Sequence, residues 1–271
     1  MRRNPILAFL LAVPLLLAGC ASAAPVVEDD LDDVDYEAVA DEPRIEEDED
    51  FGTVEVYDVL DDGSLSPAAS GTTLEVWELF HAVATPEFAS EVILEYRVGD
   101  APESDTLAYV YQDENDPQYW VLAVNLATAE DVDLLVGTLI HEYAHIIALG
   151  TDQFDEPGTC AEEVEFSYGC PAAGSVLGEF YDAFWAGYSD APEVESTDED
   201  VAYEFYLAHE DDFVSDYAAT NVVEDLAESF MTYVMEDAFD GPGVVAAKLA
   251  FFDGFPELAA IRERIRADVG L

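Results

Sequence analysis

His141-Glu142-Tyr143-Ala144-His145 places two imidazoles four residues apart with a carboxylate beside the first, and the rest of the chain is read outward from it. On a helix, residues four apart share a face, so both rings can aim at one point in space. One Zn2+ can accept both, and Glu142 stands where it can polarise a bound water. The flanks support a helix. Residues 132–140 (VDLLVGTLI) are apolar and free of proline, 146–149 (IIAL) are apolar too, and Gly150 stands where a helix stop is expected. The spacing predicts a buried helix carrying half of a metal site.

Upstream, residues 53–60 (TVEVYDVL) alternate as a strand and Asp61-Asp62-Gly63 turns it. Residues 74–84 have helical apolar spacing, 92–97 and 106–111 read as strands, and 119–126 (YWVLAVNL) give the clearest strand. Downstream, residues 175–188 read as an aromatic helix whose stripe belongs to the core, and 190–200 as a polar loop. Residues 220–235 carry a strong helix, with Asn221 as N-cap and Glu224 placed to complete something close to a capping box. Residues 248–252 and 255–269 read as closing helices, with Arg262, Arg264 and Arg266 near the end that the helix dipole favours. Strands first and helices after predict an α+β domain, with a small sheet backing the motif helix and a mostly helical C-terminal half.

A catalytic zinc site needs a third protein ligand. The chain has four histidines, leaving His81 and His209 besides the motif pair. His81 falls on an early amphipathic helix, and His209 among Glu210, Asp211 and Asp212 reads as a surface-loop residue. The tight downstream extension that supplies a third histidine in metzincins is absent, since residues 146–152 read IIALGTD. Glu224 is the better candidate. It and Glu228 lie one helical turn apart, so the first can complete the metal shell while the second accepts the N–H of a metal-facing imidazole. Two solvated glutamates are the alternative in so acidic a chain. Against that, Val222, Val223, Leu226, Ala227, Phe230 and Val234 make the helix strongly apolar, so both carboxylates border a buried face.

The run Tyr217-Ala218-Ala219-Thr220-Asn221-Val222-Val223-Glu224-Asp225-Leu226-Ala227-Glu228, downstream of the H-E-x-x-H unit, resembles the family of the anthrax lethal factor peptidase domain and its bacterial relatives, gluzincin-type zinc peptidases. The resemblance covers about a tenth of the chain. It implies a zincin-like fold, Glu224 as third zinc ligand, Glu228 as its neighbour behind the histidines, and Tyr217 with its hydroxyl toward the site. There the phenol can hydrogen-bond an oxyanion or give a proton to a leaving amine. Asp225 and Leu226 depart from the family, which has aromatic residues there, and this is expected to alter packing more than chemistry. A partly exposed loop residue is the plain alternative for Tyr217.

The chain's 271 residues suffice for one sizeable domain plus appendages. Met1-Arg2-Arg3-Asn4 is a basic start, residues 5–17 form an apolar stretch too short to span a membrane comfortably, and Leu17-Ala18-Gly19-Cys20 resembles a bacterial lipobox. That resemblance implies cleavage before Cys20, acylation of its sulfur and anchoring to a membrane surface; an ordinary secretory signal is the alternative. Cys160 and Cys170 then form an even pair in an oxidising compartment, where a disulfide is expected rather than free thiols or a zinc pair. Acids outnumber bases 62 to 8, and residues 28–50 hold 14 of those acids in 23 positions, which reads as a disordered tether. The expected organisation is a signal over 1–19, a tether over 20–51 and a metallopeptidase domain over 52–271.

Acid excess extends over the folded part, with Lys248 the one lysine in the chain. So charged a surface is relieved by counter-ions, which suggests a high-salt habitat, and it disfavours nucleic acid as a partner. Recruitment of cationic partners is a weaker account, because the acids form no single patch. The function expected is an exported, lipid-anchored zinc endopeptidase acting on peptides or proteins. The competing expectations are an inactive zincin-like lipoprotein serving as an envelope binding or structural module, and a solute-binding lipoprotein with an accidental motif.

Overall fold

In the computed structural model, which describes residues 42–155, 160, 164–239 and 241–271, most strands lie in the first half of the chain and most helices in the second. Chain order runs β1 (Arg44–Asp48), β2 (Gly52–Val59), β3 (Leu65–Ser66), α1 (Thr72–Ala84), α2 (Pro86–Val92), β4 (Ile93–Gly99), β5 (Ala108–Gln112), β6 (Trp120–Asn125), α3 (Val132–Ala148), β7 (Phe154–Asp155), β8 (Cys170–Pro171), α4 (Val176–Phe184), α5 (Glu199–His209), α6 (Val222–Met235), α7 (Val244–Phe251) and α8 (Pro256–Val269), with a 3-10 turn at Tyr217–Ala219 ahead of α6. The fold is α+β, as expected. The signal-like leader, Cys20 and the first part of the tether lie outside the described residues.

The main sheet runs β1-β2-β4-β6-β5, with β3 added to β2. β4 and β6 are parallel and the other neighbours antiparallel. β6 is buried at every residue, which is why its sequence is an unbroken apolar run instead of an alternation. One face carries the cross-strand row Tyr57, Tyr96, Leu122 and Val110, and packs on Trp77 and Phe80 of α1 and Leu139 and Tyr143 of α3. The other carries Arg44, Val56, Arg97, Ala123 and Tyr109, with both arginines paired to Glu46 and Glu95 and Arg44 also to Asp58. β5 forms the edge of the sheet opposite β1 and lies beside α3.

Several expectations need correction. The boundary at 51/52 falls inside a hairpin: Arg44–Asp48 pairs along its whole length with Gly52–Val56, so the folded part starts by Arg44. Acid-rich sequence reads as a tether, but backbone pairing and two salt-bridging arginines hold its end, Arg44–Asp48, as an edge strand. Gly150 is no left-handed stop, having φ −59°. It still stands just past the helix, whose C-cap is Leu149. The loop expected around His209 is the end of α5, begun by Asp198 accepting the Val201 N–H.

The arginines of α8 serve other helices. Arg262 and Arg266 donate to the carbonyls of Tyr233, Val234, Met235 and Glu236 where α6 ends, and Arg264 donates to Ala82 and Val83 where α1 ends. Cation and carbonyl dipole attract as the sequence suggests, but across the fold instead of within one helix.

Candidate metal centre

α3 brings the first half of the site. Asp131 caps it by accepting the Leu134 N–H, and the helix is buried through most of residues 135–146. His141 and His145 project from one face, their rings edge-on with centroids 4.7 Å apart and their Nε2 atoms 3.0 Å apart. α6 brings the second half. Asn221 accepts the N–H groups of Val223 and Glu224, while its own amide donates to Ser196 and ties down the loop before α5. The Glu224 side chain turns toward the histidines, so the expected capping box gives way to the site. Its Oε2 lies 3.2 Å from His141 Nε2 and 3.4 Å from His145 Nε2.

These three atoms fit a metal. Two imidazole nitrogens and a carboxylate oxygen form a triangle with sides of 3.0, 3.2 and 3.4 Å. Tetrahedral zinc with bonds of about 2.05 Å would set its ligands about 3.3 Å apart. Glu224 Oε2 is buried without a hydrogen-bond partner, an acceptor left for a cation. Among the described residues, His141, His145 and Glu224 are the group of side chains whose ligand atoms converge in this way.

Behind them, His141 Nδ1 donates to Glu228 Oε1 at 2.9 Å, which leaves Nε2 to face the centre. Ser215 donates to Glu228 Oε2 at 2.6 Å. Burial alone would lower the His141 pKa, but the neighbouring carboxylates of Glu224 and Glu228 raise it to about 10. Burial opposes ionisation of Glu224, yet the two histidines hold it far below the usual carboxylate range. Glu228 is held down in the same way by His141 and Ser215, against its burial.

Glu142 is buried beside the histidines, and a backbone amide of the edge strand, that of Val110, reaches its carboxylate. Burial pushes its pKa up, opposed by His141 and His145. Tyr217 sits in the 3-10 turn, half exposed, with its ring 5.9 Å from that of His141. Burial of its hydroxyl and the charges of Glu224 and Glu142 raise it well above the ordinary tyrosine range. The arrangement gives a triangle of possible cation ligands, with a buried carboxyl of raised pKa and a phenol beside it.

His81 and His209 stay outside it. His81 packs edge-on against Trp77, and His209 pairs with Asp190 at 3.1 Å. Cys160 and Cys170 are joined by a disulfide with Cα atoms 5.2 Å apart, in the segment where β7 and β8 pair. Asp225 is buried in packing, accepting from Trp185 Nε1 at 2.7 Å and pairing with Lys248 Nζ at 2.6 Å. Sequence reasoning missed Ser215 and the Val110 amide; neither a lone serine nor a backbone group has a spacing to read.

No protein-family model matches the chain, and no curated protein matches it. Among solved structures it is similar to a "putative zinc-binding metallo-peptidase" of Bacteroides caccae, at 14% identity and a TM-score of 0.39, over 73% of this chain and 75% of that one. So distant a likeness says nothing about chemistry, which the side chains must carry.

Proposed function

We propose that this chain is a zinc metallopeptidase of gluzincin type, exported and lipid-anchored through Cys20, that hydrolyses internal peptide bonds of peptides or proteins. The observation that carries this is the near-equilateral triangle of His141, His145 and Glu224 with Glu142 and Tyr217 beside it. The anchor and the export rest on the lipobox-like sequence alone, and among the described residues no helix is long and apolar enough to cross a membrane.

His141, His145 and Glu224 would hold the zinc, which would supply Lewis-acid activation of water near neutral pH. The protein's own groups do the rest. Glu142 is the general base: its raised pKa suits it to accept a proton from the attacking water and return it to the leaving amine. The Val110 amide beside that carboxylate favours its ionised form. Tyr217 keeps its proton and donates a hydrogen bond to the oxyanion that develops on the peptide carbonyl. Glu228 fixes the His141 tautomer so that Nε2 stays aimed inward. A site that only stiffened the fold would have no use for a buried base and a half-exposed phenol.

The test is zinc content and peptide cleavage, at multimolar salt, of wild type beside Glu142→Gln and Glu224→Ala. Glu142→Gln should keep its zinc and lose about 100-fold or more in turnover. Glu224→Ala should lose zinc on dialysis. Full turnover by Glu142→Gln would exclude this base, and an unchanged zinc content in Glu224→Ala would exclude this ligand.

A further inference from the structure

We propose that Ser215 is a positioning residue whose single hydroxyl fixes both the carboxylate that orients His141 and the turn that presents Tyr217. The inference rests on the metal site argued above. Ser215 Oγ donates to Glu228 Oε2 at 2.6 Å and accepts the Ala218 N–H at 3.0 Å. The other oxygen of Glu228 accepts from His141 Nδ1 at 2.9 Å.

The terminal torsion of a glutamate is broad, so a carboxylate bonded through one oxygen can rock. Bonded through both, Glu228 cannot turn without breaking a hydrogen bond, and the direction of His141 Nε2 is fixed with it. Ala218 is the middle residue of the turn Tyr217–Ala219, so the amide that Ser215 accepts lies next to Tyr217. One hydroxyl therefore sets the spacing between a metal-facing imidazole and the phenol, whose rings stand 5.9 Å apart. The same segment is held upstream by Lys248, whose Nζ donates to the Asp212 carbonyl at 2.7 Å, and downstream by the Asn221 cap. Ser215 lies between those two anchors and is the one whose side chain bonds the carboxylate behind His141.

Threonine and valine have the same shape and differ by this hydroxyl, so Ser215→Thr and Ser215→Val are compared with each other and with Ser215→Ala. Zinc affinity is read by competition with a chromophoric chelator, the site's geometry by the visible spectrum of the Co2+-substituted chain, and kcat and KM on a peptide substrate. Ser215→Thr should stay near wild type, whereas Ser215→Val and Ser215→Ala should bind zinc about 10-fold more weakly and lose a similar factor in kcat at little-changed KM. Their Co2+ spectra should shift. Equal behaviour of the Thr and Val variants, whether both intact or both impaired, would overturn the proposal, since the hydroxyl would then be immaterial. Wild type that binds zinc but cleaves nothing would instead remove the peptidase reading, leaving Ser215 to be judged on affinity and spectrum.

Discussion

Glu142 and Glu224 face the same point, yet burial pushes the first carboxyl up while two histidines pull the second far down. Two carboxyls driven apart in this way divide the labour, one as proton carrier and one as permanent anion. His141 adds a consequence for metal loading. In a chain stripped of metal by a chelator, its pKa lies near 10, above the usual 6.5. A raised folded value means that the stability it contributes is full below pH 6.5 and is lost as pH rises through about 10. A zinc ion bound at the proposed site would take the place of the Nε2 proton, so its loading would release it. Affinity measured by chelator competition should therefore climb with pH across the neutral range, with about one proton released per zinc. An affinity that stays flat from about pH 7 to 9 would show that His141 is not charged in the stripped chain.

At the scale of elements, α6 works with two faces. Glu224 and Glu228, one turn apart, serve the metal centre, while Asp225 and Ser229, also one turn apart, point into the core. There Asp225 meets Lys248, which is fully buried, donates to the Asp212 carbonyl and lies 3.9 Å over the Phe213 ring. Burial raises the one group and lowers the other, and their mutual attraction opposes both shifts. Removing one partner strands a buried charge. Lys248→Met should cost about 3–5 kcal/mol in urea unfolding, and Asp225→Asn added to it should recover much of the loss. If the single variant costs under about 1 kcal/mol, the pair is not ionised as drawn. The two site helices were legible because each concentrates its signal: H-E-x-x-H within apolar flanks, and E-x-x-x-E behind an Asn cap. α5 was not, since Val201, Tyr203 and Leu207 remain exposed and dilute any apolar period. β1 was hidden for a related reason, its identity lying in backbone pairing that acidic side chains do not announce. Ser215 acts on Glu228, 13 residues on, through a contact made by the turn and not by helical spacing.

On the scale of the whole molecule, every basic side chain among the described residues is a fastener. Arg44 and Arg97 pin the sheet, Lys248 the core, and Arg262, Arg264 and Arg266 the ends of α6 and α1. The surface is left to carboxylates, within a formal charge of −54 for the whole chain. Raising KCl from about 0.1 M to about 1 M shortens the screening length from ~10 Å to ~3 Å, so the melting temperature should rise over that range. A flat or falling melting temperature would mean that repulsion is not what limits stability, and would remove the case for a high-salt habitat. The Arg264 fastener also bears on how the protein is made. It joins α8 to α1 across 181 residues of sequence, and the carbonyls it satisfies end a helix formed early in the chain. Ribosomes deliver the N-terminus first, so the end of α1 lacks this fastening until Arg264 has emerged, 181 residues after Val83. The fold is thereby closed late: a nascent chain that stops short of Arg264 lacks the clasp between α8 and α1.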